Sequence, residues 1–199
     1  MKWGTHINTI TNKANKTLGF LWRNLKIGNK KTKEIAYKAL VRLILGYAVT
    51  VWDPYTENEI SSMEKVQHRV ARRASNRHHQ TFGVNSVVDS VEWPTLQQCH
   101  RNARLEMFFK FHHVLISISS SYLSRPTSSR RSSRKNNDYS YDIPSCQTHH
   151  RQMSFFPRTI PDWNSLPQEI VVADTLNLFQ VQAQLPPETM TLFPPPLHL

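Results

Sequence analysis

The chain is poor in the residues that mark most enzyme classes. Its 199 residues include two cysteines, Cys99 and Cys146, too few and too far apart for a disulfide framework. The five glycines stand singly, so no glycine-rich loop is present to cradle phosphates. No two aspartates are adjacent, which removes the close carboxylate pair that holds two metal ions in nucleotide polymerisation. There is no Gly-x-Ser-x-Gly elbow for a serine nucleophile. No stretch approaches the ~20 apolar residues needed to span a bilayer. The most apolar run, Leu43 to Val51, is interrupted by Gly46, Tyr47 and Thr50. The opening residues, MKWGTHINTI, lack the apolar segment of a secretory signal. These absences lead to the expectation of an intracellular protein, cytoplasmic or nuclear, with no cofactor and no membrane partner.

Acid is scarce as well, and unevenly so. The formal charge is +11 and the pI about 10.0. Residues 1–50 hold ten Lys and Arg against one acid, Glu34, whereas residues 151–199 hold two against four. A basic front half favours a polyanion as partner, nucleic acid before anionic membrane. One possible metal pattern exists: Cys146, His149 and His150, with Cys99-His100 as further donors. Structural zinc wants two short paired spacings, and only one weak pair is present. His78-His79 and His112-His113 are expected on the surface.

Apolar spacing is what the chain does have. Ile7, Ile10, Ala14, Leu18, Leu21 and Leu25 recur at three and four, and predict a helix over 5–27 that Gly28-Asn29 ends. Ile35, Ala39, Leu40, Leu43, Ile44, Tyr47, Ala48 and Val51 predict the wide apolar face of a second helix, 32–52, stopped by Asp53-Pro54. Thr56 and Glu59 form a capping box at the start of a third, 57–76, with Ile60, Met63, Val66 or Gln67, Val70 and Ala74 inward. A short turn or helix is expected over 86–91. Pro94 opens a fourth helix, 94–116, with Leu96, Ala103, Met107, Phe108, Phe111 and Leu115 buried. Residues 117–150 hold eleven serines and the run Arg130-Arg131-Ser132-Ser133-Arg134-Lys135, and read as a flexible linker. Tyr139, Tyr141 and Ile143 are candidates for a strand within it. A short helix over 157–164 follows, then a last one capped by Asp174. The fold class is therefore all-α: a helical bundle over 1–116, a serine-rich linker over 117–150, a small helical appendage over 151–182 and a proline-rich disordered tail over 183–199.

The cations fall into two groups. Lys26, Lys30, Lys31 and Lys33 straddle the junction of the first two helices. Arg69, Arg72, Arg73 and Arg77 recur at three and four along the third. Such a ridge suits contact with a phosphate backbone without base reading; a solvated surface is the plainer alternative. Trp163, with Asn164 and Leu166-Pro167, reads as a packing element in preference to a base-stacking one. Arg158 is placed to meet a phosphate or the Asp162 carboxylate.

The block Ser154 to Val171, SFFPRTIPDWNSLPQEIV, resembles the C-terminal segment of reverse transcriptases of non-LTR retrotransposons, the LINE-like elements of jockey type. Further blocks stand in the same order: KANKTLGFLWR (13–23), LVRLILGYAVTVWDP (40–54), MEKVQHR (63–69) and the stretch 93–115. The resemblance implies the thumb and tail of an RNA-directed DNA polymerase, a transposable-element protein, without its catalytic palm. No enzyme activity follows from these residues. The partner it implies is RNA or an RNA–DNA duplex, bound without sequence preference. The likeness has gaps. Where the family has Pro-x-Leu-Glu-Tyr, this chain has Leu43-Ile44-Leu45-Gly46-Tyr47, and loss of the proline predicts a straighter second helix. Cys99-His100 replaces a pair of arginines, and Arg73 stands where an apolar residue is usual. A degenerate copy without a biochemical role and a helical protein-interaction module remain the alternative readings.

Overall fold

The computed structural model describes residues 3–25, 29–74, 93–117, 119, 123 and 138–183. Every regular element among them is helical, and no strand occurs among the described residues. The expected all-α class is what the chain adopts. It divides into two compact units, Met1–Gln98 and Cys99–Leu199, so the division falls within the fourth long helix.

In the first unit, α1 (Gly4–Asn24) buries Ile7, Thr11, Ala14, Leu18 and Leu21; of the stripe that the spacing predicts, Ile10 and Leu25 are only half-buried, and Thr11 joins it. Asn29 then caps α2 (Lys30–Ala36): its side-chain oxygen accepts from the Thr32 backbone N–H at 2.8 Å and from the Thr32 hydroxyl at 2.9 Å. The second helix is neither straight nor continuous, contrary to the expectation. α2 runs into a π-helical stretch, Tyr37–Arg42, and then α3 (Leu43–Gly46). The chain breaks at Tyr47-Ala48, with Ala48 in the left-handed region at φ 53°, before α4 (Val49–Trp52).

The buried face is also not the expected one. Tyr37, Val41, Leu45, Val49 and Trp52 are inside, while Ile35, Leu40, Leu43, Tyr47 and Val51 are exposed. The stretch is apolar nearly all round, so three-and-four spacing cannot choose a face. Residues four apart drift by about 40° per step on an α-helix. The wider π turn takes that drift back and keeps Tyr37, Val41 and Leu45 on one side. The break at Ala48 then turns Trp52 inward, where its indole N–H donates to the Tyr47 carbonyl at 2.9 Å.

α5 (Glu57–Ala74) starts with the Thr56 half of the expected capping box, the Glu59 N–H donating to the Thr56 hydroxyl at 3.4 Å. It buries Met63, Val66, Gln67, Val70 and Ala71. Gln67 is fully buried and satisfied: its amide donates to the Pro94 carbonyl at 2.9 Å, and its oxygen accepts from the Tyr37 hydroxyl at 3.1 Å. Tyr37 stacks on Trp93 at 4.8 Å between ring centroids. α6 (Leu96–His112) begins two residues after Pro94, and Thr95 is the residue whose hydroxyl accepts from the Gln98 N–H. Glu64 accepts from the Gln97 N–H, a carboxylate placed at the positive end of α6.

In the second unit α6 carries Leu105, Phe108 and Phe109 into an aromatic core. It ends at His112 rather than at 116, with Val114 left-handed at φ 56° and Leu115 exposed. Then come α7 (His149–Gln152), α8 (Phe155–Asn164), α9 (Gln168–Val171) and α10 (Leu176–Gln182). Thr175, not Asp174, caps α10, accepting from the Leu178 N–H. Ile160, Trp163, Leu166, Val171 and Phe179 close the core. His112 and His113 belong to this packing, not to the open surface: His112 Nδ1 lies 2.8 Å from the Tyr141 hydroxyl, and its ring 5.1 Å from that of Trp163.

The Pro161-to-Pro167 motif is thus a set of structural joints. Asp162 holds Arg101 at 3.1 Å and Arg104 at 3.0 Å, two partners that the sequence did not announce. The Trp163 indole donates to the Tyr139 carbonyl at 3.2 Å. Asn164 grips both backbone groups of Tyr141, its oxygen accepting at 2.9 Å and its amide donating at 2.8 Å. The expected strand at Tyr139 to Ile143 does not form: Tyr139 lies in a turn and residues 140–143 have no regular structure. A side chain supplies the pairing that a neighbouring strand would give. Replacing Asn164 with Ala leaves both groups of half-buried backbone without that partner. A loss of about 2 kcal/mol is expected, read as a lower urea midpoint with unchanged slope. An unchanged midpoint would show that solvent replaces the clamp freely.

Candidate nucleic-acid interface

The described part of residues 3–74 holds twelve Lys and Arg against five acids, and α1 holds no acid at all. Coverage by cations is therefore general in the first unit, and the question is which of them are organised. Arg69 and Arg73 are. The Arg69 guanidinium donates to Asn15 Oδ1 at 2.7 Å, and that of Arg73 lies 5.8 Å from the centre of the Trp22 ring. Asn15 and Trp22 are two turns apart on α1, and Arg69 and Arg73 one turn apart on α5. The two arginines thus line the seam between the helices, with their stems fixed and their charges exposed. Helical spacing puts Lys16 and Arg23 on the adjoining exposed strip of α1, with Gly19 between them. A Cβ at Gly19 would meet nothing within 4 Å.

The other expected residues are not gathered there. Arg72 is one residue from Arg73 and so about 100° further round α5. It is exposed, about 60° from Arg69 on the side of His68. Lys30 pairs with Glu34 at 3.7 Å, which offsets part of its charge. Lys31 is exposed and Lys33 half-buried. Asn29 already occupies the Thr32 N–H, so the first turn of α2 is less open to an anion than the sequence suggests. Tyr37, one turn beyond Lys33, meets Gln67, which lies about 200° around α5 from Arg69. Lys33, on the Tyr37 side of α2, therefore lies on a different flank from the Arg69–Arg73 pair. Lys26 and Arg77 lie outside the described residues. Asn15, Lys16, Trp22 and Arg23 were not singled out by sequence; their signal is the acid-free α1 with cations and polar residues at helical spacing.

His68 borders this region. Burial lowers its pKa from the ordinary 6.5, with the Arg72 charge acting the same way and Glu64 opposing. A depressed histidine is neutral in the folded state where the unfolded chain already binds a proton. Stability is therefore full above about pH 6.5 and falls as the pH drops through the unfolded value towards the folded one. Urea midpoints should decline from pH 7 to pH 5 in the wild type, and less steeply in His68→Gln. Parallel declines would remove His68 as a cause.

Cys146 donates to the Pro144 carbonyl at 3.3 Å. Among the described residues no three His, Cys, Asp or Glu side chains converge as a metal site would require. No helix among them is long and apolar enough to cross a membrane. An apolar groove of about 580 Å³ lies between the first half of α1 and the α3–α4 stretch, lined by Trp3, Ile10, Leu43, Tyr47 and Val51 among others.

No family model, curated protein or solved structure matches this chain.

Proposed function

We propose that this chain is a non-catalytic, thumb-like helical element of a non-LTR retrotransposon reverse transcriptase, binding RNA or RNA–DNA duplex by its phosphate backbone. The observation that carries the binding role is the α1–α5 seam, where Arg69 and Arg73 are anchored by Asn15 and Trp22. Anchored guanidiniums lose less side-chain entropy on meeting a phosphate than free ones. The absence of any acid on α1 leaves their field uncompensated along that side. Nothing in the seam has the convergent donor and acceptor pattern that base reading needs, so recognition is of backbone charge. The family origin rests on the SFFPR…WNSLP block and its companions in order.

A protein-docking role is favoured by one observation, the exposed apolar groove beside α1. Salt separates the two. Phosphate binding falls steeply between about 50 and 200 mM salt, because each neutralised phosphate releases counterions, whereas apolar docking holds. Anisotropy of a labelled RNA duplex over that range is the test. Absence of binding at low salt would sink the nucleic-acid role and leave the groove as the remaining lead.

A further inference from the structure

We infer that the outer face of α1 is a platform for single-stranded nucleic acid, with Phe20 stacking on a base and Lys16 and Arg23 holding the flanking phosphates. This rests on the backbone-binding role proposed above and adds a second, conformationally selective contact to it. Phe20 is 56% exposed, the only large hydrophobic side chain so exposed on α1. A lone exposed apolar residue is ordinary on any surface. This one is distinguished by its surroundings. Lys13, Lys16 and Arg23 stand at i−7, i−4 and i+3, all exposed, and so share its face of the helix. Thr5, His6, Thr9, Thr17 and Asn24 fill the rest of that face, and no carboxylate interrupts it.

The geometry suits a strand rather than a duplex. Lys16 and Arg23 are about 10 Å apart along the axis, with Phe20 between them. An aromatic ring between two cations is the arrangement that binds single strands, because unpaired bases offer a π-face and their phosphates track the charge. In a duplex the bases are stacked on one another, so Phe20 has no face to meet. Asn24 is committed, its amide donating to the Phe20 carbonyl at 2.8 Å, which closes the end of the helix and leaves the ring itself clear. Trp22 is on the neighbouring strip under Arg73, half-buried, and is not available for the same contact.

The test is binding of labelled oligo(U) and of an RNA duplex to the full chain, comparing Phe20→Leu and Phe20→Trp with wild type. Phe20 is exposed, so both variants should keep the wild-type circular dichroism. Phe20→Leu should lower oligo(U) affinity about tenfold, with the salt slope unchanged because no phosphate contact is lost. Its duplex affinity should not move. Phe20→Trp should restore or raise oligo(U) binding, and its added indole emission should be quenched by a bromouridine-containing strand. Wild-type affinity in Phe20→Leu, or equal losses for strand and duplex, would overturn the platform while leaving the seam intact. No binding of either ligand by the wild type would overturn the proposed function and this inference together.

Discussion

Trp163→Ala should cost the second unit about 3–5 kcal/mol, more than the loss expected at Asn164. The indole is fully buried. Its neighbours are the Phe108 ring at 4.9 Å, the His112 ring at 5.1 Å and the Phe179 ring at 6.0 Å. Removing it leaves a cavity whose lining is drawn from α6, α8 and α10, into which packed neighbours relax only in part. It also frees the Tyr139 carbonyl that the indole N–H holds. Trp163→Phe keeps most of the ring volume and loses only that hydrogen bond and part of the packing, so a loss of about 1–2 kcal/mol is expected. Urea titration followed by near-ultraviolet circular dichroism separates the two. If Trp163→Ala left the midpoint in place but weakened RNA binding, the ring would be a stacking surface and not a core residue.

The sequence made α1 and α5 readable because each has one apolar stripe and one polar side. It failed on the stretch from Lys30 to Trp52 for the opposite reason. With apolar residues on every side, the face is chosen by contacts with Gln67, Trp93 and α1, and by a π turn that no local pattern announces. The left-handed Ala48 is similarly silent: alanine has no preference for that conformation, and the burial of Val49 and Trp52 imposes it. In the second unit the SFFPR…WNSLP block was visible as a block, but its mechanics were not. Asn164 acts on Tyr141, 23 residues earlier, and Asp162 on Arg101 and Arg104, about sixty residues earlier. Such pairings are set by tertiary contact alone. The candidate site divides the same way. Spacing marks Arg69, Arg72, Arg73 and Arg77 as one ridge; the contacts with Asn15 and Trp22 are what tie Arg69 and Arg73 to α1.

That anchoring gives the second large effect. The double variant Arg69→Glu and Arg73→Glu should lower the log–log salt slope of duplex binding by about 1.4–1.8, two phosphate contacts at roughly 0.7–0.9 each. Between about 50 and 200 mM salt this shrinks the fall in affinity by close to tenfold. At the low-salt end the variant should bind at least tenfold more weakly, because reversed charges repel the phosphates that the arginines attract. The fold should survive. The Asn15 hydrogen bond and the Trp22 contact are exposed interactions, each contributing under about 1 kcal/mol. Arg69→Lys with Arg73→Lys keeps the charge and loses the guanidinium hydrogen bond to Asn15, so it should keep the slope and lose only a small part of the affinity. Arg72→Glu, about 60° from Arg69 and 100° from Arg73 round α5, should change the slope by less than either seam arginine reversed alone. If all three sites behaved alike, affinity would follow net charge and not the seam. If the double variant kept the wild-type slope, the arginines would be a solvated face, and the anchoring by Asn15 and Trp22 would be a packing feature of α1 and α5 only.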